Sequence, residues 1–111
     1  MPVMDKDPFS AGGMVKLVGF QGVDPSTIAD IKLIVGKKLK RFQELCREFE
    51  QIVLHLEKVH AQPRSEKYEL HAQLKDKGKL YMTTITHKDL LLALETSLKK
   101  LESEVSKDRT L

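Results

Sequence analysis

Tyr68-Glu69-Leu70-His71-Ala72-Gln73-Leu74 alternates apolar and polar residues without a break. Successive side chains of a strand point to opposite faces, so this run predicts a strand with Tyr68, Leu70, Ala72 and Leu74 inward and Glu69, His71 and Gln73 outward. On its N-terminal side, Ile52 to Val59 repeats the pattern, with Ile52, Leu54 and Leu56 opposite Val53, His55 and Glu57. On its C-terminal side, Leu80 to Ile85 predicts a third strand with Tyr81, Thr83 and Ile85 inward. Lys75-Asp76-Lys77-Gly78-Lys79 is the expected hairpin loop, and Ala61 to Lys67, which contains Pro63, the expected polar connection.

Further out, the period changes from two to 3.6. Asp24-Pro25 has the form of a helix start, because aspartate accepts from the free N–H groups of a first turn and proline tolerates the first helical position. Ile28, Ile31, Val35, Leu39, Phe42, Cys46 and Phe49 then recur at three- and four-residue steps, one apolar stripe. After the strands, Thr86-His87-Lys88-Asp89 has the spacing of a capping box, and Leu91, Leu94, Leu98, Leu101 and Val105 form the stripe of a second helix. Met14 to Phe20, a short apolar run set off by Gly13 and Gly22, predicts a first strand. The expected fold is α+β, βαβββα, with two helices packed on one face of a four-stranded sheet whose other face stays partly solvated.

The 111 residues suit one domain, with a 41% hydrophobic content sufficient for one modest core. The expected organisation is an N-terminal extension over 1–13, a single domain over 14–107 and a short tail over 108–111. Cys46, the one cysteine, excludes an internal disulfide and a cysteine-rich zinc site and fits a reducing compartment. No apolar run approaches the length of a membrane span, and Met1 to Gly13 has no apolar centre of the secretory type, so a cytoplasmic protein is expected.

Net charge is only +3, yet Lys32 to Arg47 holds Lys32, Lys37, Lys38, Lys40, Arg41 and Arg47 against the single acid Glu44. A solvated helix surface ordinarily mixes signs, which supports i,i+4 pairing, whereas this imbalance favours a polyanion. Lys37, Lys38, Lys40 and Arg41 lie off the centre of the apolar stripe and are the principal candidates for contact with nucleic acid. Lys75, Lys77, Lys79 and Lys88, around the hairpin and the start of the last helix, are candidates to extend the footprint, although lysine-rich hairpins also occur simply for solubility. Phosphate contacts give affinity without sequence reading and are strongly salt-dependent. Aromatic residues make up 5% of the chain with no tryptophan, so base stacking is not the expected mode.

The element order and the run Asp89-Leu-Leu-Leu-Ala-Leu-Glu-Thr-Ser-Leu-Lys-Lys-Leu101 resemble the short ribosome hibernation-promoting factor and ribosome-associated inhibitor family. Asp89, Ala93, Leu94, Glu95, Leu98, Lys100 and Leu101 match that family's last-helix pattern identically or conservatively, with Leu91 where tyrosine is usual. Lys38-Leu39 and Arg41-Phe42 match its alternation of basic and apolar residues in the first helix, and the resemblance spans about Val15 to Lys107. It implies a non-enzymatic protein, without cofactor or small-molecule substrate, that binds ribosomal RNA in the messenger and transfer RNA channel of the small ribosomal subunit. Such a protein inhibits translation or protects idle ribosomes as part of a stress response. The resemblance adds Lys100 to the RNA-binding candidates. Ser103 and Glu104 depart from the arginine and glutamine common after the motif, which weakens the second helix's expected share.

Two other readings suit the same residues: a double-stranded-RNA-binding module outside the ribosome, and a protein-interaction or oligomerising domain that uses its open sheet face or edge. His55 and His71 share the polar face, but without an evident converging carboxylate or cysteine they are read as surface histidines and no metal is assigned. No phosphate-binding glycine loop or nucleophile elbow is present, and no catalytic residue is assigned.

Overall fold

The computed structural model describes residues 9, 13–62 and 65–109. Among these, the elements run β1 (Val15–Val18), α1 (Pro25–Leu45), β2 (Phe49–Gln62), β3 (Ser65–Asp76), β4 (Lys79–His87) and α2 (Leu90–Arg109). The expected βαβββα order holds. The sheet has the order β1-β2-β3-β4, with β1 parallel to β2 and the other neighbours antiparallel. Ile52, Leu54 and Leu56 face Leu74, Ala72 and Leu70 directly across the β2–β3 ladder, and all six are buried. The stripes of both helices cover this face: Ile31, Val35, Leu39 and Phe42 from α1, and Leu94, Leu98, Leu101 and Val105 from α2. The alternation that predicts the strands thus also builds the core.

α1 begins as expected. Asp24 is the N-cap, its Oδ1 accepting from the backbone N–H of Ser26 at 2.9 Å and of Thr27 at 3.0 Å. The Ser26 hydroxyl, followed by the Thr27 N–H and hydroxyl, holds the Asp24 carboxyl down from 3.8 to about 2. A carboxylate depressed in the folded state stabilises the fold above its unfolded value, and that contribution disappears as pH falls through the folded one. Helical signal should therefore decline between about pH 4 and 2 partly through this cap. Asp24→Asn, which caps without titrating, should flatten that part of the acid titration followed by circular dichroism.

Four boundaries differ from expectation. Phe49 belongs to β2, because α1 ends at Leu45 and Cys46 turns extended with ψ 150°. The cause lies far away in sequence: the buried Asp76, at the end of β3, accepts from Arg47 N–H at 3.2 Å and Glu48 N–H at 2.8 Å. The polar connection expected over Ala61 to Lys67 is largely strand, and only residues 63–64 separate β2 from β3, outside the described residues. The second helix is capped by Asp89, whose Oδ1 accepts from Leu92 N–H at 3.2 Å, while Thr86 still belongs to β4. The Lys75 to Lys79 loop contracts to a tight turn in which Lys77 and Gly78 both have positive φ, 48° and 84°, the geometry that suits a right-twisted hairpin.

Within α2, Ser97 is fully buried and its hydroxyl has no hydrogen-bond partner among the described residues. An unpaired buried hydroxyl is unfavourable, and alanine is the better helix former. Ser97→Ala should raise unfolding free energy by about 1 kcal/mol in urea titrations. The extension expected over 1–13 lies outside the described residues apart from Phe9 and Gly13; Phe9 packs against the core, with Lys32 Nζ 5.6 Å from its ring centre.

Candidate nucleic-acid interface

α1 and α2 lie side by side on the sheet, and the seam between them is a groove of about 690 Å³ lined by Ile34, Lys37, Lys38, Arg41, Glu95, Leu98, Lys99 and Glu102. Its geometry follows from helical period. Lys37, Lys38 and Arg41 occupy the flank of α1 beside the buried stripe, and Glu95, Lys99 and Glu102, three to four residues apart, occupy the facing flank of α2. Lys40, one 100° step short of Arg41 around the helix, is exposed on the outer surface.

The groove is not purely basic. Glu102 accepts from Lys38 Nζ at 2.5 Å and, through its other oxygen, from Arg41 Nε at 3.1 Å. The Lys38 and Arg41 hydrogen bonds hold its carboxyl below the usual carboxylate range. Arg41 also lies 3.7 Å from Glu44. Two of the four principal candidates on α1 are therefore paired within the protein, in a partly solvated bridge of the kind that contributes up to about 1 kcal/mol. Glu102 also orients them, holding both heads over the seam.

The remaining candidates do not form one cluster. Lys100 is exposed, and at 100° from Lys99 around α2 it falls outside the groove that Lys99 lines. Lys75, Lys77 and Lys79 surround the β3–β4 turn, where Lys75 lies 4.0 Å from Glu50 and Lys79 pairs with Asp108. Asp108 also accepts from the Tyr81 hydroxyl at 2.7 Å; burial and then this acceptor push the Tyr81 phenol up to about 12. Lys88 follows β4 at its opposite end, roughly 30 Å from Lys79 at the usual rise per strand residue. The hairpin lysines and Lys88 thus belong to two ends of the sheet.

Lys99 and Glu102 are the charged groove residues that the sequence reading does not name. Their period with Glu95 is visible in the sequence, but which flank of α2 faces α1 is decided by the order of strands beneath them.

On the open face of the sheet, cross-strand register sets His55 opposite His71 and Glu57 opposite Glu69. The expectation that no carboxylate converges on the two histidines is therefore overturned: Glu69 Oε1 lies 3.0 Å and Glu57 Oε1 4.0 Å from His71 Nε2.

No protein-family model matches the chain, and no curated protein matches it in sequence. Among solved structures, the fold is similar to that of a ribosomal subunit interface protein from Coxiella burnetii, with a TM-score of 0.60 and 22% identity over 87% of this chain and 98% of the other. A likeness at that identity establishes the shared architecture, and with it the α+β arrangement expected from the sequence.

Proposed function

We infer that the protein binds the small ribosomal subunit through the α1–α2 groove and its rim, contacts ribosomal RNA there, and thereby inhibits translation or protects idle ribosomes. The observation that carries this reading is the convergence of Lys37, Lys38, Arg41 and Lys99 on one seam, with Lys40 beside it, on a fold shared with a ribosomal subunit interface protein. Cations held on two rigid helices present a fixed pattern to phosphates, so shape and charge select the site while base identity does not. Lys100, the hairpin lysines Lys75, Lys77 and Lys79, and Lys88 lie outside the groove and remain secondary candidates. The role is one of binding, with no chemical step.

Sedimentation through sucrose at low salt tests it. Purified protein added to ribosomes should travel with the small subunit and be released as salt rises; protein that stays in the light fractions overturns the proposal. A plain RNA duplex that competes as well as the subunit would favour the double-stranded-RNA-binding reading instead. Reversal of Lys38 and Arg41 is a poor probe, because it sets three carboxylates together around Glu102 and disturbs the helix seam. Lys37→Glu, Lys40→Glu and Lys99→Glu combined avoid that problem and should remove co-sedimentation from a protein that stays folded.

Glu102→Gln should act in the opposite sense. It releases Lys38 and Arg41 to a phosphate, so binding tightens and the slope of log K against log salt steepens by about 0.7–0.9 for each cation released. Stability should fall by no more than about 1 kcal/mol in the same variant. Tighter binding with slightly lower stability identifies the seam as the contact surface; unchanged binding shows that it is not.

A further inference from the structure

We propose that His71, Glu57 and Glu69, joined by His55, form a divalent transition-metal site on the open face of the sheet, on the side opposite the helical groove, and that its natural fit is Zn²⁺. The argument begins with register. His55 and Glu57 are two residues apart on β2, Glu69 and His71 two apart on β3, and all four side chains therefore leave the same face. Pairing sets the imidazoles against each other, with ring centres 5.9 Å apart, and the carboxylates against each other. One ligand atom from each of Glu57, Glu69 and His71 lies within 4.8 Å of the other two, and His55 Nε2 is 3.8 Å from Glu57 Oε2.

Tetrahedral zinc with nitrogen and oxygen ligands places its donor atoms about 3.4 Å apart. The separations of 3.0 Å from His71 Nε2 to Glu69 and 4.0 Å to Glu57 bracket that value, so small side-chain rotations close the site without moving backbone. Imidazole with carboxylate is a donor set that suits zinc and its neighbours rather than calcium or magnesium. Two further features favour an ion over a set of ordinary surface pairs. Like charges directly opposite on adjacent strands repel, and Glu57 faces Glu69; one dication between them neutralises both. His71 Nδ1 lies 3.1 Å from Thr84 Oγ1 on β4, a contact to the second ring nitrogen that fixes the imidazole and turns Nε2 toward the carboxylates. His55, Glu57, His71 and Thr84 line a shallow depression of about 330 Å³ with Val53 and Met82 on its wall, and Glu69 stands beside it, 3.0 Å from His71 Nε2.

Titration of Zn²⁺ into the full chain should saturate at one equivalent and raise the melting temperature, with reversal by a chelator. Co²⁺ in its place should give the intense visible bands of four-coordination. His71→Ala and the double variant Glu57→Gln/Glu69→Gln should abolish those bands. Thr84→Val should weaken binding by about 10-fold, the lower range for loss of a contact that orients a ligand. His87→Ala should change nothing, since its Nδ1 accepts from Asp89 N–H elsewhere. All these side chains lie off the core, and urea unfolding of each metal-free variant checks that the fold is intact. Absence of a saturable Zn²⁺ effect overturns the proposal, as does Co²⁺ binding that persists unchanged in His71→Ala. Loss of ribosome co-sedimentation has no bearing on this result, because the two surfaces lie on opposite sides of the sheet.

Discussion

Phe42→Ala should lower the unfolding free energy by about 3–5 kcal/mol, a large share of the roughly 5–15 kcal/mol that holds a domain together. Phe42 is the largest of the fully buried side chains and lies on the core-facing stripe of α1. Truncation removes transfer free energy and leaves a void, and the second effect depends on whether the surroundings can settle into it. Here they cannot settle easily. α1 is fixed at its start by the Asp24 cap and at its end by Asp76, which holds the N–H groups of Arg47 and Glu48. Urea titration should show an earlier midpoint with an unchanged slope, whereas Phe42→Leu, close in volume, should cost less than about 1.5 kcal/mol. A loss for Phe42→Ala no larger than the roughly 1.5–3 kcal/mol of its transfer free energy would show that the site collapses and that α1 is not held at both ends.

Gly19→Ala should be nearly as damaging as Phe42→Ala although it adds only a methyl group. Gly19 follows β1 with φ at +83°, and a Cβ built there would lie 2.3 Å from the carbonyl oxygen of Leu56. Two effects combine. An L side chain is disfavoured at that φ, and the obstruction is backbone of β2 rather than a side chain that can turn aside. About 3 kcal/mol is expected, together with loosening of β1. Gly78→Ala is the informative comparison, because φ there is +84° while nothing lies within 4 Å of the added Cβ. It isolates the conformational cost from the collision, and its loss should be about 1–2 kcal/mol.

The strands and helices were legible because each carries its own period, and period needs no tertiary information. Ile52, Leu54, Leu56, Leu70, Ala72 and Leu74 alternate in sequence and are buried together. The Asp24-Pro25 signal was equally local, with donors only two and three residues away. What escaped was set by partners distant in the chain. No glycine or proline marks the end of α1; Asp76, 29 residues beyond Arg47, does that work, and so the apolar spacing ran on to Phe49 without visible interruption. Glu102 reaches Arg41 across 61 residues, which is why the Lys32 to Arg47 segment, six-to-one basic in sequence, is partly neutralised in space. The metal-site residues were all on the correct face in the sequence reading. Their convergence needed the β2–β3 register, which fixes Glu57 opposite Glu69 and cannot be read from either strand alone.

β1 contributes four residues at the edge of the sheet, pairs with β2 alone, and is joined to it only through the whole of α1. Closing that long connection is entropically dearer than closing the β2–β3 and β3–β4 hairpins, so amide exchange is expected to be faster across the parallel pair than across either hairpin. α1 is threaded between the two ends of this pairing. A partial opening that frees β1 would leave the β2–β3–β4 meander paired, with α1 still held at its start by Asp24 and at its end by Asp76.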